Sequence, residues 1–125
     1  ERLILVMYWQ THDGFDKDIK KLAKDYRQLD HSITATKRLL EIQFHPTQPQ
    51  EVIGPGKIHR ITQNHTWAIW KLEVAVKGLR PSQWPRFWFA VRGNTVTFLV
   101  ANTHINNYDN NTCDRLAAER FSEIA

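Results

Sequence analysis

The chain has 125 residues, 42% of them hydrophobic, and a formal net charge of +4. This length supports one compact domain over residues 1–125 and leaves too few residues for a second core. A single cysteine, Cys113, excludes an internal disulfide and a multi-cysteine zinc site, and points to a reducing, cytoplasmic setting.

The first apolar run, "LILVMYW", is much shorter than the roughly 20 residues needed to span a bilayer. It also lacks the basic leader and small-residue cleavage site of a signal peptide. It therefore reads as a buried strand over residues 2–9, and no membrane association is expected. Next, "THDGFDKDIKKLAKDYRQLD" places Phe15, Ile19, Leu22, Tyr26 and Leu29 at steps of four and three. That spacing predicts one amphipathic helix, with Thr11 or Asp13 as its cap. Its other face carries Lys17, Lys20, Lys21, Lys24 and Arg27, a pattern that fits a solvated helix face.

After a polar break at Asp30 to Ser32, "DHSITATKRLLEIQF" restarts the helical pattern, so two helices form a hairpin that Pro46 and Pro49 end. Residues 45–66 are rich in Pro, Gly, Gln and His and read as a loop with one short extended piece, "KIHRI". From Trp67 the period changes. The segments "WAIWKLEVAV", "RFWFAV" and "TVTFLVAN" are separated by turn signals and predict a three-stranded antiparallel meander. The tail "NNTCDRLAAERFSEI" returns to helical spacing after Asn111 or Thr112 as cap. The expected class is α+β, with the helices on one sheet face and the other face open.

Strand alternation assigns residues to that open face. Lys71, Glu73 and Lys77 fall opposite Trp70, Leu72, Val74 and Val76, and Arg86, Trp88 and Arg92 fall opposite Phe87, Phe89 and Val91. The stretch "KGLRPSQWPRFWFAVRGN" carries Lys77, Arg80, Arg86 and Arg92 and no acid. Cations around an aromatic plane suit single-stranded RNA, the charges holding phosphates and the ring of Trp88 stacking on a base. A charged sheet face serving solubility, or a tryptophan serving a protein interface, fits the same pattern.

The stretch "NTHINNYDNN" follows the last strand with His104 and Tyr108 four positions apart. Cleavage of RNA by its own 2′-hydroxyl needs a base, an acid and cations beside the phosphorus, which His104, Tyr108 or Glu73, and Arg86 with Lys71 could supply. Histidine titrates nearest neutrality. Parity along "TVTFLVANTH", however, puts His104 on the side of Val96, Phe98 and Val100, so a bend or bulge is needed to turn it toward the open face. Without one, His104 is a structural histidine and Tyr108 a ring that caps the core. The other histidines show no ligand spacing, and neither a metal nor a cofactor is expected. Cys113 reads as a small buried residue.

The segment "WKLEVAVKGLRPSQWPRFWFAVRGNTVTFLVANTHINNYDNN" resembles the C-terminal half of the RelE/ParE superfamily of bacterial and archaeal toxins. There a "wkl.v" strand, a Pro-Arg strand start, a "dg..i.fL" strand and a histidine or arginine followed by a tyrosine recur in this order. The resemblance covers residues 2–125 in element order and 67–125 in motif. It implies a RelE-like toxin of a type II toxin-antitoxin system, an endoribonuclease that cleaves mRNA, with the ribosome and a cognate antitoxin as partners. By position, Lys71 and Arg86 match phosphate-binding places, and His104 and Tyr108 match the acid–base residues at the end of the last strand. Two departures stand out: residues 45–66 are longer than the family connection, and Glu73 stands where several relatives have another lysine. A ParE-like gyrase-inhibiting toxin and a non-catalytic binding protein are the alternatives. The antitoxin is expected to cover the basic face or displace the short C-terminal helix, residues 112–124.

Overall fold

The computed structural model describes residues 7–103 and 110–124. The elements run β1 (Tyr8–Thr11), α1 (Asp13–Leu22), α2 (Leu29–Gln43), β2 (Ile58–Gln63), β3 (Ala68–Glu73), β4 (Arg86–Arg92), β5 (Thr95–Asn102) and α3 (Asn110–Ile124). They form an α+β domain around one mixed sheet of order β1-β5-β4-β3-β2. β1 runs parallel to β5, and every other neighbouring pair is antiparallel. The expected meander is thus present as β3 to β5, and β2 adds a strand to its edge.

Two hydrophobic clusters lie on opposite sides of the sheet. On one side, α1 and α2 bury Phe15, Leu22, Leu29 and Leu40 against Leu72, Phe87, Phe89, Val96 and Phe98. Phe15 stacks on Phe98 at 5.1 Å and meets Phe87 edge-on at 5.3 Å. On the other side, Cys113, Ala117 and Phe121 of α3 pack on Ile69, Trp88, Ala90, Leu99 and Val100. The second sheet face is therefore covered over much of its area, against the expectation of an open one. The apolar spacing of Cys113, Ala117 and Phe121, at steps of four, had no partner in the first face and takes the second.

The break between α1 and α2 falls at residues 23–28 rather than at Asp30 to Ser32. Tyr26 explains the shift. Its hydroxyl reaches the Gln83 carbonyl at 2.7 Å and the Thr103 hydroxyl at 2.6 Å, so the chain leaves helical geometry to bring the phenol into the core. The cap of α1 is His12, whose Nδ1 accepts the Gly14 N–H at 2.9 Å, rather than Thr11 or Asp13. The first strand is described over Tyr8–Thr11, where it is mostly exposed rather than buried as expected, and residues 2–6 of its expected span lie outside the described residues. Residues 45–57 are irregular and held by the Gln43 side chain, which accepts the N–H groups of Val52 and Ile53 at 3.0 and 2.8 Å. "KIHRI" then enters the sheet as β2, with a register shift between Arg60 and Thr62.

The C-terminal helix is latched to α1. Arg120 donates from Nη1 to Asp18 at 2.8 Å and to the Leu99 carbonyl at 2.7 Å, and the same Asp18 oxygen accepts Ala101 N–H at 3.1 Å. His12 Nε2 lies 2.6 Å from Glu123. Since its Nδ1 accepts from Gly14, Nε2 is the protonated nitrogen and donates to the carboxylate. A helix with a buried face and two such ties is costly to displace, which removes the argument that α3 moves easily.

Candidate active site

The sheet register decides which of the sequence candidates meet. Opposed residues on neighbouring strands point to the same face. Glu73 of β3 stands opposite Arg86 of β4, and Arg86 opposite Asn102 of β5. The Glu73 N–H donates to the Lys57 carbonyl at 2.8 Å, which places Lys57 across from Glu73 on the other side. One row along, His59 of β2 opposes Lys71 of β3, and Lys71 opposes Trp88. Lys71, Glu73 and Arg86 thus share one end of the face that α3 covers elsewhere.

Their contacts form a small charged network at that end. Glu73 Oε1 lies 3.5 Å from Arg86 Nη2 and 3.7 Å from Lys57 Nζ, so one carboxylate sits between two cations. Arg86 also donates from Nη1 to the Trp84 carbonyl, and only 7% of the residue is exposed. Burial of this cation is tolerated because the Trp84 carbonyl accepts one of its N–H donors and the Glu73 carboxylate offsets its charge. Lys71 Nζ donates to Asn110 Oδ1 at 3.1 Å, on the first residue of α3. Lys57 also lies 5.4 Å from the Trp84 ring centroid. Two cations therefore flank one carboxylate, and a third, Lys71, holds the start of α3 beside them.

His104 and Tyr108 lie outside the described residues, but the two flanks of their segment are placed. Asn102 shares the row of Arg86, and Asn110 is the residue that Lys71 holds. β5 carries a bulge ahead of this segment. Phe89 pairs with Phe98 while Trp88 pairs with Val100, so Leu99 is the extra residue on β5. Val96 and Phe98 accordingly face the α1 and α2 core, whereas Val100 faces α3.

The remaining candidates do not join this site. Trp88 is fully buried under α3, and its Nε1 donates to Asp114 at 2.8 Å, so it anchors a helix and offers no stacking surface. The expectation of an outward Trp88 fails because strand parity fixes a side of the sheet but not whether that side is solvated. The same applies to Arg86, which parity placed outward and which is buried against Glu73 and the Trp84 carbonyl. Lys77 is exposed and lines a hollow with Gln28, His31 and Ser32, on the α2 side. Arg80 is exposed just before the short 3-10 turn Pro81–Gln83. Arg92 sits at the other end of β4, about 20 Å from Arg86 along the strand, and its guanidinium covers the Phe121 ring at 5.1 Å.

Sequence reasoning missed Lys57, His59, Asn102 and Asn110. A signal for the first two existed in "KIHRI", where Lys57 and His59 alternate about the buried Ile58, but the surrounding Pro and Gly obscured it. Cys113 is buried as expected, with its sulfur 3.7 Å from Asn102 Nδ2. Among the described residues no helix is long and apolar enough to cross a membrane. Compared with protein-family models, with curated proteins and with solved structures, the chain finds no match.

Proposed function

We propose that the chain is a RelE-like toxin that cleaves mRNA as an endoribonuclease, acts in the cytoplasm and is restrained by a cognate antitoxin. The observation that carries this reading is the meeting of Lys71, Glu73 and Arg86 at the end of β3 and β4, beside both flanks of the segment that bears His104 and Tyr108. In the proposed reaction the ribose 2′-oxygen forms a bond to the adjacent phosphorus as the bond from phosphorus to the 5′-oxygen breaks. Glu73 takes the 2′-hydroxyl proton, and His104 or Tyr108 gives a proton to the departing 5′-oxygen. Lys71 and Arg86 offset the negative charge that grows on the phosphoryl oxygens. The products are a 2′,3′-cyclic phosphate and a 5′-hydroxyl. The ribosome would present the mRNA strand to this edge.

A binding role without catalysis is the second reading, in which the chain acts on gyrase or another protein. The burial of Arg86 in contact with Glu73 and the Trp84 carbonyl favours it, because such a group also serves as a structural tie. Incubation of the purified chain with mRNA, with and without ribosomes, separates the two. Products with cyclic-phosphate and 5′-hydroxyl ends, reduced roughly a hundredfold or more by Glu73→Gln, are expected. Growth arrest by the expressed chain with intact mRNA and accumulating DNA breaks would overturn the nuclease reading in favour of gyrase.

A further inference from the structure

β2 brings two residues to the edge of the site that the reaction above leaves unused. His59 is exposed and opposes Lys71 directly across the β2–β3 pair. Among the described residues no hydrogen bond or ion pair engages the imidazole. Lys57 opposes Glu73 one row away, and its ammonium lies 3.7 Å from that carboxylate and 5.4 Å from the Trp84 ring centroid. Its side chain is 43% exposed, so part of its hydration remains to be exchanged for another anion. Ile58 between them is buried, which fixes both neighbours on the face of Lys71 and Glu73.

We propose that Lys57 and His59 of β2, together with Lys71, form a phosphate-holding subsite that extends the active site by one strand and takes the backbone of a single-stranded RNA next to the cleaved bond. The subsite rests on the endoribonuclease reading. Neighbouring strands are about 4.8 Å apart, so β2 lies about 10 Å from β4, with Lys57 in the row of Arg86 and His59 one row along. A nucleic-acid backbone laid across β4, β3 and β2 therefore meets Arg86, Lys71 and then His59 with Lys57 in succession. The cations supply charge for phosphates, and the unengaged imidazole supplies a hydrogen-bond donor at the far end. This gives the extra strand a role: it lengthens the substrate track and leaves the reacting groups to β3, β4 and the segment after β5.

A salt titration of binding reads the subsite apart from cleavage. The probe is a short fluorescent 2′-O-methyl RNA, which keeps every phosphate and lacks the attacking hydroxyl. Lys57→Ala is expected to flatten the slope of log affinity against log salt by about 0.7, the loss of one phosphate contact on a single strand. His59→Ala is expected to weaken binding roughly tenfold, and His59→Lys to restore it, which a merely structural role would not permit. Lys17→Ala, on the solvated face of α1, should change neither. If wild type cleaves RNA while both β2 variants bind the probe with wild-type affinity and slope, the subsite is refuted and the nuclease reading stands. If wild type neither binds the probe nor cleaves RNA, with or without ribosomes, the nuclease reading fails and the subsite falls with it.

Discussion

Trp88→Ala separates the two roles that the tryptophan can have. The indole is 0% exposed and lies in the cluster that joins α3 to the sheet, with Ile69, Ala90, Val100, Ala117 and Phe121. Truncation removes the transfer free energy of a buried aromatic ring and leaves a cavity, which together cost about 3 to 5 kcal/mol. It also takes the Nε1 donor from Asp114, a smaller loss because that carboxylate is half-exposed and regains water. At a length of 125 residues, each kcal/mol corresponds to about 4 °C in melting temperature, so the expected fall is roughly 12 to 20 °C. Trp88→Phe keeps most of the ring and loses the hydrogen bond, for about 1 to 2 kcal/mol. The assay is thermal unfolding followed by circular dichroism, with urea unfolding to check that the slope is unchanged. An exposed base-stacking tryptophan predicts the reverse: weaker RNA binding and a melting temperature within about 2 °C of wild type. That outcome would refute the placement of α3 over Trp88.

Two further substitutions probe the site's edge and the helix latch. Arg86→Ala is expected to cost about 2 kcal/mol in urea unfolding, because it strips one cation from Glu73 and the donor from the Trp84 carbonyl; its loss of RNA cleavage must exceed the loss of folded protein for a role in the reaction to hold. Gly14→Ala places a methyl against Arg120 Cζ, so the guanidinium must shift and strain its bonds to Asp18 and the Leu99 carbonyl. Helix propensity returns up to about 1 kcal/mol, leaving a net destabilisation of about 1 to 2 kcal/mol. In the double variant Gly14→Ala, Arg120→Ala the cost of the glycine change should vanish or reverse, and an unchanged cost would sink the latch.

The sequence made some of this legible and hid the rest for identifiable reasons. Phe15, Leu22, Tyr26 and Leu29 all face the core as their spacing required, because burial sets that pattern whether or not the helix is continuous. The break at residues 23–28 was hidden, since it depends on Tyr26 reaching Gln83 and Thr103 far along the chain. Parity sorted Lys71, Glu73 and Arg86 to one face correctly. It could not say where α3 would lie, and hence that Trp88 would be buried, nor that Trp84 and Glu73 would enclose Arg86. The catalytic reading of His104 calls for a bend or bulge near the strand end, and β5 has a bulge at Leu99, where Arg120 binds the Leu99 carbonyl and Asp18 the Ala101 N–H. These two contacts come from α3 and α1, so no local pattern in "TVTFLVA" announced its position. β2 is legible only as a short extended piece, because its alternation covers few residues before the register shift near Ile61.

The central claim is chemical, that Glu73 at the junction of β3 and β4 takes part in cutting RNA. Its most direct measurement is the mapping of mRNA 5′ ends in cells that express the wild-type chain or Glu73→Gln at equal folded levels. New 5′-hydroxyl ends are expected within coding regions soon after induction of the wild type, and their near disappearance in the variant. Equal patterns of ends in the two, or growth arrest by the wild type with no new ends, would contradict it.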